Sequence, residues 1–202
     1  LSGPDLRAAS LTALTALTAR PQQVLGTGRC RATSSLLGFS PWGLAFPGMG
    51  VVVVASGNDA GHAVNEPANC TGALAVAGVR HAGTKVGYSN LGPQIAIAAP
   101  AGNCVNLTGN CLYPLVTTLN AGTTTPGASV YSSGTDASLG TSFATPLVAA
   151  SVGLMLAVDP ALTPAQVKTT MQATARAFPT TGAQEPGTVA CRAPDATDQI
   201  EC

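Results

Sequence analysis

The sequence predicts an α/β fold class, with three layers in which helices cover both faces of a mostly parallel sheet. The continuous β-branched run Val51–Ala55, bounded by glycines, is typical of a central and fully buried parallel strand. An apolar helical run from Leu147 to Val158 provides a helix that can pack on such a sheet. Small residues dominate the apolar set, which suits closely packed layers, and 202 residues are enough for one domain with a hydrophobic core.

The other elements follow from apolar spacing and from the residues that begin and end each run. We predict a helix over 5–19, a short strand over 24–30, strands over 73–79 and 94–98, and a helix over 165–175. Thr163 and Pro164 begin the last of these helices. The regions rich in turn residues, or without a helical period, are 31–50, 103–138 with a turn at 122–127, and the tail 179–202.

The composition argues against nucleic acids and membranes as partners. Nine basic and nine acidic residues balance and only 9% of the chain is charged, so no charged surface is predicted for nucleic acid or an anionic membrane. No apolar run approaches the ~20 residues of a membrane span. No basic segment followed by an apolar core marks a signal peptide. If the protein is secreted, we expect its export signal to lie outside this chain.

The six cysteines predict disulfide bonds and therefore an oxidising compartment, extracellular or periplasmic. Six cysteines allow fifteen pairings, and the sequence does not choose among them. Proximity along the chain favours two short loops and one longer one, namely Cys104 with Cys111, Cys191 with Cys202, and Cys30 with Cys70. No Cys-x-x-Cys pair or Cys/His cluster indicates a metal site.

The stretch Gly-Thr-Ser-Phe-Ala-Thr-Pro at 140–146 holds the candidate catalytic residue, Ser142. It runs directly into the apolar helix, so the Ser142 hydroxyl is predicted to lie in the first helical turn. There, unpaired backbone N–H groups and the positive end of the helix dipole favour negative charge. A serine nucleophile in acyl transfer needs this environment, because the tetrahedral oxyanion forms beside it. The alternative is that Gly-Thr-Ser is ordinary loop sequence and Ser142 an ordinary helix N-cap.

A second candidate, Asn58, follows the four-valine strand in the sequence Ser-Gly-Asn. In open α/β sheets ligands gather at the carboxyl ends of the strands, which is where this residue must lie. Its side-chain amide can donate a hydrogen bond to a developing oxyanion. The alternative is that Ser-Gly-Asn is a common turn with no chemical role.

Together, these motifs resemble those of the subtilisin-like serine proteases, also called subtilases or peptidase family S8. In that family a Gly-Thr-Ser-x-Ala-x-Pro segment carries the catalytic serine at the start of a buried helix. A Gly-Asn at the end of a strand supplies an oxyanion-hole donor. The resemblance therefore implies that Ser142 is the nucleophile and Asn58 the oxyanion-hole residue. Two further segments match the family, Gly-Tyr-Ser-Asn-Leu-Gly at 87–92 and Leu-Thr-Pro-Ala-Gln-Val at 162–167.

The resemblance also implies two substrate-contact segments. One is the segment 24–30, which resembles a shortened form of the family's strand whose backbone pairs with the substrate peptide. Its glycines could equally form a simple loop. The other is the end of the valine strand. The candidate substrate-binding residues are Leu25, Gly26, Ala55, Ser56 and Gly57. Calcium is common in the family, but no carboxylate cluster in the sequence indicates a site for it, and no other cofactor is identifiable.

A serine nucleophile needs a base and an orienting carboxylate, and neither occurs here in the family's context. The two histidines, His62 and His81, lie in loops without the family's surrounding motif. Because subtilase triads run Asp, His, Ser along the chain, we expect this chain to be the C-terminal portion of a catalytic domain. The triad Asp and His are then expected on a missing or separate N-terminal segment, and the chain alone is expected to be nearly inert.

The sequence thus predicts one region of a subtilase catalytic domain over 1–202. Its predicted parts are a substrate-side strand and irregular segment (1–50), a core with Asn58 and Ser142 (51–178), and a disulfide-rich tail (179–202). The expected function is that of a secreted serine endopeptidase acting on polypeptides. The alternative is a non-catalytic, subtilase-like fragment or binding module. A serine esterase of the α/β-hydrolase kind is disfavoured, because no histidine follows Ser142 in the chain.

Overall fold

The computed structural model describes residues 50–59, 61–103, 113–132 and 138–178. The helix predicted over 5–19, the strand predicted over 24–30 and the tail 179–202 lie outside these residues. The described elements are strands β1 (Val52–Ala55), β2 (Ala73–Val79), β3 (Ile95–Pro100), β4 (Thr118–Asn120) and β5 (Ser129–Tyr131), and helices α1 (Thr141–Val158) and α2 (Pro164–Thr174).

The first three strands form a parallel sheet in the order β1-β2-β3. This confirms the predicted α/β class, and β2 has the bounds that the sequence predicts. The prediction that the valine run is fully buried is wrong, because only Val53 in β1 is buried. Its central position in the sheet stays a prediction, since β1 pairs with β2 alone among the described strands. The register shifts between β2 and β3, where Ala75 pairs with Ile95 and Val76 with Ile97. The extra residue at this bulge is Ala96.

Alternate residues of the strands face two different clusters of apolar side chains, as a period of two requires. On one face, Val53, Leu74 and Val76 belong to the same cluster as residues of both helices. The buried helix residues of that cluster are Ala144, Val148, Val152, Val167 and Met171. On the other face, the described part of the chain covers Ala75 with the segment 64–68 rather than with a helix. Sheet and helices therefore supply the larger core, directly behind the start of α1.

The two helices begin differently. The predicted start of α2 is confirmed by a capping box, in which Thr163 Oγ1 accepts a hydrogen bond from the Gln166 N–H, and Gln166 Oε1 accepts one from the Thr163 N–H at 2.8 Å. Helix α1 has Gly140 as its N-cap, with no side-chain cap, and contains Pro146 in its second turn. Because proline has no N–H, the Ser142 carbonyl lacks its usual partner inside the helix.

A short antiparallel pair, β4 with β5, occupies part of the region that the sequence predicts as loop-rich. The predicted turn at 122–127 is the connection between these strands. Asn120 closes it, because its side-chain oxygen accepts hydrogen bonds from the N–H groups of Gly122 (2.9 Å) and Gly127 (2.8 Å). Both strands are three residues long and exposed, so no alternation of buried and exposed residues marked them in the sequence.

Among the described helices, α1 has the length and apolar composition of a membrane span. A core helix of an α/β protein has the same properties, and α1 contacts each of the three parallel strands. Its packing on the sheet accounts for the buried apolar residues Ala144, Val148 and Val152.

Candidate active site

The start of α1 presents Ser142 to solvent. The helix begins at Thr141, so Ser142 is its second residue and its side chain is exposed. The N-cap is Gly140, so the alternative reading of Ser142 as an ordinary N-cap is wrong. The Ser142 N–H is one of the first backbone donors of the helix, which have no partner within the helix itself. The hydroxyl thus lies at the end of α1 where negative charge is favoured.

Asn58 follows β1 and lies against this helix start. Its side-chain oxygen accepts hydrogen bonds from the Thr141 N–H at 2.9 Å and from the Thr141 hydroxyl at 3.0 Å. The Thr141 N–H fixes which end of the amide is the carbonyl, because a reversed amide would point its own N–H group at this donor. The Asn58 amide nitrogen, Nδ2, is therefore left facing away from Thr141.

The Asn58 side chain and the Ser142 backbone nitrogen lie beside Gly140. A Cβ atom built on Gly140 would lie 3.5 Å from Asn58 Nδ2, and 3.8 Å from both Asn58 Oδ1 and the Ser142 nitrogen. Gly140 has no such atom, so no side chain of this residue separates the two nitrogens. An oxyanion held next to Gly140 can accept hydrogen bonds from Asn58 Nδ2 and from the Ser142 N–H.

Tyr88 holds the residue before the helix. Its hydroxyl oxygen accepts a hydrogen bond from the Gly140 N–H at 2.9 Å and lies within bonding distance of the Ala101 and Gly102 carbonyl oxygens. Burial raises the pKa of the Tyr88 phenol to about 12, although the Gly140 N–H opposes this shift. The phenol is therefore neutral and able to donate over the whole physiological range. The family motif at 87–92 includes Tyr88, but nothing in the sequence indicated which contact it makes.

A buried asparagine, Asn90, organises the loop that carries Asn58. Its backbone N–H donates to the Gly57 carbonyl at 3.0 Å, and its side-chain oxygen accepts from the Asp59 N–H at 2.7 Å. Its side-chain amide donates to the Asp59 carboxylate and to the Ala63 carbonyl. Hydrogen bonds from the Asn90 and then the Asn65 side chains lower the pKa of the exposed Asp59 carboxyl. This residue was also missed, because its partners lie about thirty positions away in the chain.

The candidate substrate-binding residues Ala55, Ser56 and Gly57 continue β1 toward the site. Ser56 is fully buried and donates its hydroxyl to the Asn90 carbonyl, so its side chain supports the loop and does not face a ligand. Ala55 and Gly57 are half-buried. Leu25 and Gly26 lie outside the described residues, so the predicted role of that segment stays a prediction.

Within the described residues, no histidine is hydrogen-bonded to Ser142. His81 stacks on the ring of Tyr113 with 3.6 Å between the ring centroids. His62 is exposed, and its carbonyl accepts a hydrogen bond from the Leu91 N–H. These contacts give neither histidine the position of a base for Ser142, and the described part of the chain does not complete a triad.

The metal and disulfide predictions mostly concern residues that the structure does not describe. No group of three or more His, Cys, Asp or Glu side chains that could hold a metal occurs in the described ranges. Calcium, which the family resemblance allows, stays a prediction. Cys70 is buried, whereas the other five cysteines (Cys30, Cys104, Cys111, Cys191 and Cys202) lie outside the described residues. The pairings stay predictions.

Comparisons with known proteins agree with the geometry. The model of the subtilase family matches residues 32–193. An extracellular protease of Xanthomonas campestris pv. campestris is 45% identical over 130 residues, which are 63% of this chain and 20% of that protein. A halolysin-like extracellular serine protease of Natrialba magadii is 31% identical over 112 residues, 55% of this chain and 17% of that protein. The chain thus spans about a fifth of the length of these relatives.

A solved structure has a similar fold. It is described as a protease from Pseudoalteromonas arctica and is 36% identical in sequence, with a TM-score of 0.56. The match covers 63% of this chain and 36% of that one. Sequence and fold comparisons therefore both lead to proteases.

Proposed function

The chain belongs to the subtilase family, and we propose that it is part of a secreted serine endopeptidase that cleaves peptide bonds through an acyl-enzyme on Ser142. The observation that carries this proposal is that Asn58 Nδ2 and the Ser142 backbone nitrogen, at the exposed start of α1, both lie within 4 Å of the point where a Gly140 Cβ would be. Secretion is supported by the two relatives, which are both named as extracellular proteases. The same location suits disulfide formation.

The proposed reaction follows from these groups. The Ser142 oxygen attacks the scissile carbonyl carbon, and its proton passes to a histidine base. The carbonyl oxygen becomes an oxyanion that accepts hydrogen bonds from Asn58 Nδ2 and the Ser142 N–H. The carbon–nitrogen bond then breaks, and the base gives its proton to the leaving amine. Water hydrolyses the resulting ester in the reverse sense, which releases the acid and restores the serine hydroxyl.

We propose that a segment outside the described residues supplies the histidine and the aspartate and packs on two uncovered surfaces. One is the free edge of β1, which pairs only with β2 among the described strands. The other is the outer apolar face of α1, formed by Leu147, Leu154 and Val158, which are 46%, 63% and 88% exposed. These residues are seven and four positions apart and so lie on one side of the helix.

We also propose a disulfide bond between Cys104 and Cys111. The chain on either side is held together by an antiparallel bridge between Asn103 and Tyr113, with N–H···O distances of 2.9 and 3.2 Å. We expect such a bridge to bring the two cysteines that lie between these residues within reach of one another. Chymotryptic cleavage after Leu107, between the two cysteines, should leave two peptides that separate only after reduction.

The test of the protease proposal is labelling with a fluorophosphonate probe, followed by intact-mass analysis of the secreted protein after reduction. Such a probe reacts with a serine that a base has activated. We expect one adduct on Ser142, and none in a Ser142→Ala variant. If Ser142 stays unlabelled in the secreted protein, the non-catalytic module becomes the better interpretation, because that alternative keeps the family's fold without a working base.

A further inference from the structure

The loop that carries Asn58 is fixed from both sides by one residue. Asn90 is fully buried. Its backbone N–H donates to the carbonyl of Gly57, the residue before Asn58, at 3.0 Å. Its side-chain oxygen accepts from the N–H of Asp59, the residue after Asn58, at 2.7 Å. The peptide groups that flank Asn58 are therefore both bound to Asn90.

The side-chain amide of Asn90 closes the rest of the loop. It donates to the Asp59 carboxylate at 2.9 Å and to the Ala63 carbonyl at 3.1 Å. Gly57 allows this close approach, because a Cβ atom on it would lie only 2.4 Å from Asn90 Nδ2. The Gly57 backbone also has a φ of 113°, which other residues rarely adopt. Asn90 thus uses both ends of its amide, which carries its donor and its acceptor on separate atoms.

Asn58 itself has few contacts of its own. Its side chain is exposed and is held through one oxygen by Thr141. The position of its backbone is therefore set by its neighbours, Gly57 and Asp59, and through them by Asn90. An oxyanion donor must be placed accurately, because a displacement of ~1 Å can cost ~100-fold in rate.

We infer that Asn90 is a positioning residue for the oxyanion hole and that it acts on catalysis through Asn58. This inference rests on the proposed function, since it requires Asn58 to bind the oxyanion. The competing explanation is that Asn90 only stabilises the fold. The two explanations differ in one measurable respect. A positioning residue loses its effect on the rate when Asn58 is removed, whereas a purely structural residue does not.

A double-mutant cycle on the secreted enzyme tests this. The variants are Asn58→Ala, Asn90→Ala and the two together, and kcat and KM are measured on a peptide p-nitroanilide that the wild type cleaves. We expect Asn58→Ala to lower kcat by ~100- to 1,000-fold. We expect Asn90→Ala to lower kcat at least ~10-fold with little change in KM, and to change kcat less than ~2-fold when Asn58 is already alanine.

Two controls separate positioning from general destabilisation. Asn120→Ala removes another asparagine that closes a turn, the one between β4 and β5. Val167→Ala lowers stability by removing part of a fully buried side chain of α2. Both are expected to keep the wild-type kcat at temperatures where they are folded. Equal effects of Asn90→Ala with and without Asn58 overturn the inference but leave the protease proposal intact. If Asn58→Ala keeps the wild-type kcat, the assignment of Asn58 itself fails, and the role of Asn90 falls with it.

A second pair of variants covers the case in which Asn90→Ala does not fold. Asn90→Asp keeps the size of the side chain but faces the Asp59 carboxylate with a second carboxylate, so we expect kcat to fall. Adding Asp59→Asn restores an amide opposite a carboxylate, and we expect it to recover part of kcat. Failure of Asp59→Asn to restore any activity to the Asn90→Asp enzyme overturns the inference.

Discussion

Thr141 contributes two hydrogen bonds to the candidate oxyanion hole although it never contacts the reacting atoms. Its N–H and its hydroxyl both donate to the Asn58 side-chain oxygen, and its own side chain is fully buried. The N–H is fixed by the helix, whereas the hydroxyl depends on the side chain. The orientation of the Asn58 amide therefore depends on a residue type as well as on the helix.

The first prediction concerns this hydroxyl. Thr141→Val keeps the shape and the N–H but removes one of the two donors to Asn58. A hydrogen bond of this kind contributes about 1 kcal/mol net, so we expect kcat to fall ~3- to 10-fold with little change in KM. The matched control is Thr145→Val, which removes a hydroxyl bonded only to the Thr141 carbonyl. Equal losses of kcat in the two variants would contradict the role of Thr141.

The second prediction concerns the Asp59 carboxyl. Its pKa in the folded protein lies below its ordinary value of 3.8, because the Asn90 and Asn65 amides donate to the charged form. The unfolded chain therefore binds more protons in this range, so the contribution of Asp59 to stability is complete above 3.8 and is lost as the pH falls through the folded pKa.

The Asp59→Asn variant isolates this contribution, because asparagine does not titrate. We expect wild type to have a higher Tm than Asp59→Asn at about pH 6, and the gap to shrink as the pH falls to about 2.5. Thermal unfolding of both proteins across this range measures it. A gap that stays constant with pH would show that the Asp59 charge does not stabilise the loop.

At the residue scale, the sequence predicts functional residues that stand in a local motif, but it does not predict contacts between residues far apart in the chain. Ser142 and Asn58 could be named because each stands in a local motif at the end of an element. Tyr88 and Asn90 could not be assigned a role, although they stand in a recognisable segment. Their partners are 52 and 31 positions distant, and spacing along a strand or helix carries no information about such contacts.

At the scale of elements, Gly140 has two properties at the N-terminus of α1. It caps the helix through its backbone, and it leaves room beside Ser142 because it has no side chain. Gly140 has a φ of 139°, which other residues rarely adopt, and its N–H is bound by Tyr88 and by the Ala101 carbonyl. These bonds let the chain turn into the helix without a capping side chain. The space that such a side chain would fill is the one between Asn58 Nδ2 and the Ser142 N–H.

The third prediction separates these two properties of Gly140. Gly140→Ala should cost about 1–3 kcal/mol in backbone strain and lower kcat/KM ~100-fold or more, because the new Cβ occupies the oxyanion space. Gly83→Ala is the control, since Gly83 also has a positive φ of 88° but its Cβ would meet only the Arg176 guanidinium at 3.8 Å. We expect a similar loss of stability there in urea unfolding, with activity unchanged. A parallel loss of kcat/KM in both variants would exclude a special role for the space at Gly140.

The sequence predicts the elements well where burial produces a pattern. The strand Ala73–Val79 and the start of α2 are found as predicted, because one is a buried apolar run and the other a capping box. The strands β4 and β5 were missed because they are short and fully exposed, so side-chain polarity does not alternate along them. The full burial of β1 was predicted wrongly, since only Val53 in it is buried. A valine run indicates a strand, but the burial of each side chain depends on neighbours that the run does not encode.

At the scale of the whole molecule, the segment proposed above would both cover the exposed apolar surface and supply the base that Ser142 requires. A helix that carries a nucleophile needs a base beside it, and an apolar face needs another layer to exclude water. The outer apolar face of α1 and the free edge of β1 belong to the same helix and sheet that position Ser142. Leu147 lies about 8 Å along the helix axis from Ser142 and Val158 about 24 Å, so a segment that covers the whole face would come near the serine at its Leu147 end.

The fourth prediction tests that segment in the secreted enzyme. Leu154→Asp changes a side chain that is 63% exposed here, and such a surface change ordinarily alters stability by less than ~0.5 kcal/mol. If the proposed segment packs on the outer apolar face of α1, the new carboxylate is buried without a partner. The free energy of unfolding of the variant, measured in urea, should then fall by about 2–4 kcal/mol, several-fold more than for an exposed site. The control Thr169→Asp places a carboxylate on the exposed side of α2, where we expect almost no effect. Should both variants unfold at the wild-type urea concentration, the face is open in the secreted enzyme as well, and the segment that brings the histidine must pack elsewhere.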